Sequence, residues 1–282
     1  MRTFLTIVLF SLLFSSCATK KHTNLPYLNN PELQINTGGT VPTLNIFTPR
    51  KKANTKRPVL IFVHGGNWNS GSKELYGFFG RNFAKHDVVT VLPGYTLSPN
   101  ADYDLMTQQI AEAIAWTQHN ISTYGGDPSQ IYLTGHSAGG HLISLATLHP
   151  KYGIDPNSIS GIILNDAAAL DMFHYLQNNP PTEEDNYLTT WTANPNTWKV
   201  ASPIYFLGED SPRFKIYLGS KTYQSIDTAN RRFLEALQKF QPGVELKILD
   251  KKHVPMVTQY FWPWSNRYDE IVQFMTLSAA GE

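Results

Sequence analysis

A single cysteine, Cys17, occurs among the 282 residues, so the chain lacks both a second thiol for an internal disulfide and a set of thiolates for a metal. Its formal net charge is only +1, which excludes the broadly basic surface that binds nucleic acid. The metal-binding spacing H-E-x-x-H is absent, and residues 37–40 (T-G-G-T) do not have the spacing of a dinucleotide fingerprint. We therefore expect no metal, no cofactor and no nucleic-acid partner.

The first seventeen residues have a composition of their own. Arg2 is followed by an uncharged apolar run over residues 4–14, which as a helix would span about 16 Å, against about 30 Å for a bilayer core. A positive charge, a short apolar segment and small residues are typical of a secretory signal. The sequence Ser15-Ser16-Cys17 resembles a bacterial lipobox, which implies that Cys17 becomes a lipidated N-terminus. Ordinary cleavage nearby, with loss of Cys17, is the alternative.

We accordingly predict a signal peptide over 1–16 and a lipidated tether over 17–32. The protein is then exported and contacts the membrane only through its lipid anchor, on the periplasmic or cell-surface side of a bacterial envelope. The charge distribution agrees with this division, because residues 1–57 hold eight Lys or Arg and one acid, whereas the remainder is mildly acidic.

From residue 33 onwards, short β-branched and aromatic runs alternate with longer segments of helical periodicity. The predicted strands cover residues 59–63, 88–92, 131–134, 159–164, 214–218 and 244–249. The predicted helices cover residues 104–119, 135–148 (after a tight turn), 228–240 and 266–277. This alternation is typical of a mostly parallel sheet with helices on both faces, with 33–48 as antiparallel edge strands. The sequence therefore predicts one α/β domain over 33–282.

Residues 171–213 interrupt this alternation. The segment is rich in proline and aromatic residues, including Trp191 and Trp198, and has no clear period. A long insertion of this kind in a compact domain is more often a lid or a binding loop than a simple connection. A surface excursion without contact to any site is the alternative.

The motif Gly135-His136-Ser137-Ala138-Gly139 has the form G-x-S-x-G, with a predicted strand before it and a predicted helix after it. This context is the one that a nucleophile elbow requires, because the sharp turn leaves no room for side chains at the glycines and presents the serine hydroxyl at the end of the sheet. Ser137 is therefore the predicted nucleophile.

A second motif, His64-Gly65-Gly66-Asn67-Trp68, follows the predicted strand that ends at residue 63. An oxyanion-hole loop belongs at this place, and glycines allow its backbone N–H groups to approach the reacting oxygen. We predict the N–H groups of Gly66, Asn67 and Ala138 as the oxyanion donors, and expect His64 to order the loop through hydrogen bonds.

Taken together, these motifs resemble the α/β-hydrolase superfamily, in its H-G-G-x-W carboxylesterase branch. That branch includes hormone-sensitive-lipase-like, kynurenine-formamidase-like and acetyl- or feruloyl-esterase-like enzymes. Three further runs match it, although Thr96 stands where the branch often has arginine; they are Tyr124-Gly-Gly-Asp-Pro128, Tyr95-Thr-Leu-Ser-Pro99 and Ala201-Ser-Pro-Ile204. The resemblance covers most of residues 40–275. It implies an α/β-hydrolase fold with about eight strands in a twisted, mostly parallel sheet, and hydrolysis of an ester, or less often an amide, through an acyl-serine.

His253 is the predicted general base, since in this fold the histidine follows the nucleophile and lies just beyond the last strand. The acid is less well defined, because Thr222 occupies the place after the seventh strand where the branch normally has a carboxylate. Asp166, at the end of the sixth predicted strand, is our first choice. Three alternatives remain for the acid. They are Asp171, Asp227 (which resembles a helix N-cap) and a Ser–His dyad without any acid.

The function that follows is that of a secreted serine carboxylesterase acting on small-acyl or aryl esters. A small molecule or an oligosaccharide is the expected substrate, with polysaccharide-linked acetyl and feruloyl groups among the candidates. An arylformamidase-like amide hydrolase and a non-catalytic binding protein are the alternatives. Four tryptophans either line an aromatic or sugar-bearing site or pack the insertion and the last helix, namely Trp191, Trp198, Trp262 and Trp264.

Overall fold

Eight strands form one sheet in the computed structural model, which describes residues 18–34 and 41–277. The strands are β1 (Thr19–Pro26), β2 (Thr43–Pro49), β3 (Arg57–Val63), β4 (Val89–Pro93), β5 (Gly126–His136), β6 (Gly161–Asn165), β7 (Phe214–Lys221) and β8 (Leu246–Lys252). Their order is β1-β2-β4-β3-β5-β6-β7-β8. The first two strands are antiparallel to their neighbours and the other six are parallel, so the predicted mostly parallel sheet is confirmed. In the predicted edge segment 33–48 the described residues form only one strand, β2, and the other antiparallel strand, β1, lies before it in the chain.

Helices cover both faces of the sheet. They are α1 (Gly77–Lys85), α2 (Tyr103–Asn120), α3 (Ala138–Leu148), α4 (Met172–Asn178), α5 (Tyr187–Trp191), α6 (Pro195–Val200), α7 (Gln224–Leu237), α8 (His253–Thr258) and α9 (Arg267–Leu277). One apolar cluster lies under α2, α3 and α7, and a second lies under α1, α8 and α9. Buried strands between two apolar layers explain the continuous hydrophobic runs of the sequence. Across residues 18–34 and 41–277, no helix combines the length and the apolar character that a membrane crossing requires.

The N-terminal segment differs from the predicted tether over 17–32. Thr19–Pro26 forms the edge strand β1, paired antiparallel with β2. The two residues that follow, Tyr27 and Leu28, are buried in the main core, and the Tyr27 hydroxyl donates a 2.7 Å hydrogen bond to the Gly94 carbonyl. The polar composition was misleading because an edge strand exposes one side and carries lysines and other polar residues there. The predicted signal peptide and Cys17 lie outside the described residues.

The register of β1 and β2 shows at which end of the sheet β1 begins. Thr19 pairs with Pro49, whereas Leu44, near the other end of β2, pairs with Pro93 at the carboxyl end of β4. The start of β1 is therefore at the amino ends of the parallel strands, one strand length away from their carboxyl ends. That length is about 20 Å, at about 3.3 Å per residue.

Replacing Tyr27 tests whether this segment belongs to the folded domain. We expect Tyr27→Ala to lower the free energy of unfolding by about 3 kcal/mol, because it empties a buried aromatic site and removes a hydrogen bond. Urea denaturation of the chain from residue 18 measures the change, with Lys20→Ala on exposed β1 surface as the control. A change within about 0.5 kcal/mol of the control would support a tether instead.

Candidate active site

Ser137 lies on a strained turn between β5 and α3. Its φ and ψ are 54° and −123°, in a region that a residue with a side chain rarely adopts. A Cβ atom on Gly139 would lie 2.1 Å from the Val63 carbonyl oxygen, and one on Gly135 would lie 2.4 Å from the Gly139 carbonyl carbon. Only glycine fits at either position, which is the physical reason for the G-x-S-x-G pattern.

His253 and Asp166 form the closest acid–base pair near this turn. His253 opens α8 directly after β8, and its Nδ1–H donates to Oδ2 of Asp166 at 2.5 Å. Asp166 follows β6 and is fully buried. Ser137 and His253 line the same cavity, so the structure brings together the predicted nucleophile, base and first-choice acid.

Thr222 supports the carboxylate instead of replacing it. Its hydroxyl donates to Asp166 Oδ2 at 2.5 Å, and the Gly219 N–H donates to Oδ1 at 2.8 Å. Because β6 and β7 are neighbouring parallel strands about 4.8 Å apart, their carboxyl ends meet at one edge of the sheet. A carboxylate that follows β6 can therefore reach the same histidine as a carboxylate that follows β7.

The other two candidate acids form ion pairs with arginines and, among the described residues, not with His253. Asp227 pairs with Arg231 at 2.9 Å, and Asp171 pairs with Arg232 at 2.7 Å while also capping α4. The predicted N-cap role of Asp227 is wrong, since α7 begins at Gln224 and Asp227 lies inside its first turn. The helix starts earlier because Ile226 is buried against the core.

The loop after β3 passes directly beside the nucleophile. A Cβ atom on Gly65 would lie 2.9 Å from Cβ of Ser137, and Gly66 has a φ of +130°. Within the described part of the chain, no protein acceptor binds the N–H of Gly66 or Asn67. Ala138 is the first residue of α3, so its N–H has no partner within the helix. The three predicted oxyanion donors are thus on the two segments that flank Ser137.

His64 and Tyr95 stabilise this loop through hydrogen bonds and ring stacking. The His64 Nδ1–H donates to the Gly65 carbonyl at 2.8 Å, and the His64 carbonyl accepts a 3.0 Å hydrogen bond from the Tyr95 hydroxyl. The rings of His64 and Tyr95 also stack, with centroids 4.5 Å apart. The run that starts at Tyr95 is therefore structural support for the loop.

Trp68 links the same loop to the helix after the elbow. Its indole N–H donates to His141 Nδ1 at 3.2 Å, and His141 Nε2–H donates to the Ala201 carbonyl at 2.8 Å. One buried histidine thus connects three motifs of the sequence that are far apart along the chain.

His136, the variable residue of the elbow, has a role that its place in the sequence does not indicate. Its ring stacks on that of His253 with centroids 4.5 Å apart, and its Nε2–H donates to the His253 carbonyl at 3.1 Å. Burial, together with the neighbouring His253, lowers the pKa of His136 to about 3. A neutral His136 therefore holds the backbone of the candidate base, a contact that adjacency in sequence could not reveal.

The cavity above Ser137 has a volume of about 740 Å³. Its lining combines an apolar side with four tyrosines and two carboxylates, namely Ala168, Ala169, Met172, Ile226, Tyr76, Tyr175, Tyr187, Tyr223, Asp171 and Asp185. In the described ranges, no group of three or more His, Cys, Asp or Glu could hold a metal ion.

The insertion 171–213 forms one wall of this cavity. The Tyr187 hydroxyl donates to the Asn67 side-chain oxygen at 3.1 Å, and the Asn69 amide donates to the Asp185 carbonyl at 2.9 Å. It is therefore not a remote surface excursion. Trp191 and Trp198, by contrast, are buried in the main core and do not line the cavity.

The sequence model of the BD-FAE family matches residues 44–233, about two thirds of the chain, including both the oxyanion loop and the elbow. The chain belongs to the BD-FAE family. This membership confirms the predicted relation to α/β-hydrolase carboxylesterases.

The chain is also similar in sequence to curated proteins named as esterases. Esterase LipQ of Mycobacterium tuberculosis is 29% identical over 240 residues, which cover 76% of this chain and 56% of LipQ. The chain thus spans about half the length, or less, of the curated relatives that it matches.

Two solved structures share its fold. Esterase B of Lactobacillus rhamnosis has a TM-score of 0.75 at 21% identity, covering 93% of this chain and 87% of that one. A truncated carbohydrate esterase from gut microbiota has a TM-score of 0.72 at 19% identity, covering 93% and 98%. At these identities the likeness shows the fold alone, and it confirms the predicted α/β-hydrolase fold.

Three buried histidines should make the free energy of unfolding depend on pH. Burial lowers the pKa of His64 and His141 to about 4, and that of His136 to about 3. An unfolded chain protonates its histidines near pH 6.5, so below that pH it binds more protons than the folded chain does. We expect the free energy of unfolding to fall as the pH is lowered from 6.5 to 5, by about 1 kcal/mol per histidine per pH unit.

Urea denaturation at several pH values measures this slope. His141→Gln should reduce the slope by about 1 kcal/mol per pH unit whatever its effect on stability at pH 7, because one titrating group is gone. A slope near zero in the unmodified protein would contradict the prediction.

Proposed function

We propose that this protein is a serine carboxylesterase in which Ser137, His253 and Asp166 act together. The observation that carries the proposal is the hydrogen bond between His253 Nδ1 and the buried Asp166, because His253 and Ser137 line one cavity. LipQ, a relative over three quarters of the chain, is named an esterase, which supports the same chemistry.

The proposed reaction has two halves. In the first, Ser137 Oγ attacks the acyl carbonyl, His253 Nε2 takes the hydroxyl proton, and the same proton passes to the leaving alcohol. In the second, a water molecule attacks the acyl-serine, His253 removes a proton from it, and Ser137 recovers its hydroxyl as the acid leaves. The N–H groups of Gly66, Asn67 and Ala138 stabilise the negative oxygen of both tetrahedral intermediates.

Asp166 contributes by fixing the state of His253. Its Oδ2 accepts from Nδ1–H, which keeps Nε2 free to accept the serine proton and stabilises the imidazolium that forms. Thr222 and Gly219 hold the carboxylate in place for this task. Because Asp166 supplies the carboxylate at the histidine, the absence of an acid at position 222 is no argument for a non-catalytic binding protein.

The cavity lining favours an acyl group carried by a sugar. Ala168, Met172 and Ile226 offer a short apolar surface for a small acyl or aryl group. Tyrosine rings and the exposed Asp185 carboxylate on the other walls suit the apolar faces and the hydroxyl groups of a saccharide. Similarity in fold to a carbohydrate esterase supports this substrate class, which we propose as acetyl or feruloyl esters of oligosaccharides.

Export and lipid anchoring at Cys17 belong to the same proposal. They rest on the charge, apolar run and small residues before Cys17. A polysaccharide substrate outside the cytoplasm agrees with this location.

The catalytic assignment is tested with p-nitrophenyl acetate and the chain from residue 18. We expect Ser137→Ala and Asp166→Asn each to lower kcat by about a thousandfold or more, since one removes the nucleophile and the other leaves the histidine in the wrong tautomer. Asp227→Asn, a carboxylate bound to Arg231 away from His253, is the matched control and should retain full activity.

Full activity of Ser137→Ala would overturn the mechanism, and full activity of Asp166→Asn would leave a dyad. Rates on acetylated xylan fragments, methyl ferulate and N-formylkynurenine then separate the substrate classes. A preference for the last would favour the arylformamidase-like alternative.

Lipidation is tested by expression of the full chain in bacteria with radioactive palmitate. We expect label in the wild type and its loss in Cys17→Ser, because the thiol is the only possible attachment point for a thioether-linked lipid. Ser15→Ala, which keeps a small residue near the cleavage site, serves as the control. Unlabelled wild-type protein, or label retained by Cys17→Ser, would exclude the anchor.

A further inference from the structure

Four aromatic side chains near the cavity form two contacting pairs, Phe78 with Phe261 and Trp262 with Trp264, which the Phe261–Trp262 peptide bond joins; we call them the aromatic ridge. The last three are 51%, 57% and 73% exposed. Phe261 stacks on Phe78 with ring centroids 3.7 Å apart, and the two indoles lie 5.3 Å apart at an angle of 32°. Large apolar side chains grouped on a surface are costly to leave in water and commonly mark a binding site.

The aromatic ridge is continuous with the mouth of the cavity. Tyr76 lines the cavity, and its ring lies 5.9 Å from that of Phe78. On the other side, Val254 and Val257 of α8 line the cavity, and the chain runs from α8 through one short turn to Phe261. A ligand chain leaving the cavity on this side therefore meets the aromatic ridge.

The backbone under the aromatic ridge is well anchored. Tyr260 is buried, and its carbonyl accepts hydrogen bonds from the Tyr268 hydroxyl and, at 3.2 Å, from the Asn82 amide. The Ser265 N–H donates to the Trp262 carbonyl at 3.0 Å and closes a turn around Pro263. The exposed rings thus stand on a fixed support, which lowers the entropy that a ligand must overcome when it binds.

We propose that the aromatic ridge binds the neutral sugar chain of a polysaccharide ester and so extends the active site; this rests on the proposed function. Pyranose rings present apolar C–H faces that stack on aromatic rings while their hydroxyls stay in water. No Lys, Arg, Asp or Glu occurs in residues 253–266, which carry three of the four rings of the aromatic ridge, whereas segments that bind anionic lipid surfaces carry Lys and Arg. A neutral glycan fits this surface better than a membrane does.

Kinetics of the double variant Trp262→Ala/Trp264→Ala test the proposal. We expect kcat/KM on p-nitrophenyl acetate to stay within about twofold of wild type, because neither indole lines the cavity. On polymeric acetylated xylan or acetylated glucomannan we expect about a tenfold loss, carried by KM, since each lost stacking contact weakens binding severalfold. Ile248→Ala, an exposed apolar residue on β8 away from the aromatic ridge, is the control and should match wild type on all substrates.

Retardation in native gels that contain either polysaccharide measures binding without catalysis, in a Ser137→Ala background. Loss of retardation in the tryptophan variant supports the proposal. Equal retardation of both proteins, no retardation of either, or binding to phosphatidylglycerol vesicles that depends on the tryptophans would overturn it. Inactivity of wild type on p-nitrophenyl acetate would instead refute the proposed esterase activity. Retardation in the gel does not depend on that activity, so the two failures can be told apart.

Discussion

The hydrogen bond between His253 and Asp166 depends on one geometric constraint, the common edge at which parallel strands end. β6 delivers the carboxylate, β8 delivers the histidine, and β7 between them supplies the Gly219 N–H and leads to Thr222. The three strands bring these groups together from positions 166, 219–222 and 253, which lie at least 30 residues apart in sequence. A shift in the pairing of any of the three strands would separate them, so the sheet register and the chemistry of the site are one property of the fold.

Local strain is concentrated around the same edge. Positive φ angles at residues other than glycine occur at several positions in or beside the cavity, namely Asn67, Trp68, Ser137, Asp166, Ala169 and Asp185. Such conformations persist only where the surroundings determine them. Here the surroundings are neutral buried histidines and the wall formed by the insertion, which hold the loops by hydrogen bonds.

The start of the described chain and the cavity lie at opposite ends of the parallel strands. The described chain starts at the amino ends of the parallel strands, while Ser137 and its cavity lie at their carboxyl ends. The proposed lipid at Cys17 would attach two residues before β1, at the end of the parallel strands opposite the cavity.

The sequence alone determined the features that depend on neighbouring residues. The alternation of strands and helices and the glycine-flanked Ser137 follow from local sterics, and the chain order placed His253 as the candidate base. It did not determine the acid, because Asp166, Asp171 and Asp227 look alike in one dimension and only the meeting of β6 with β7 brings one of them to His253. The same limit hid the support from His136 and made an edge strand resemble a tether. Contacts between distant segments are created by packing, and packing also decided that Trp191 is buried while Trp262 is exposed.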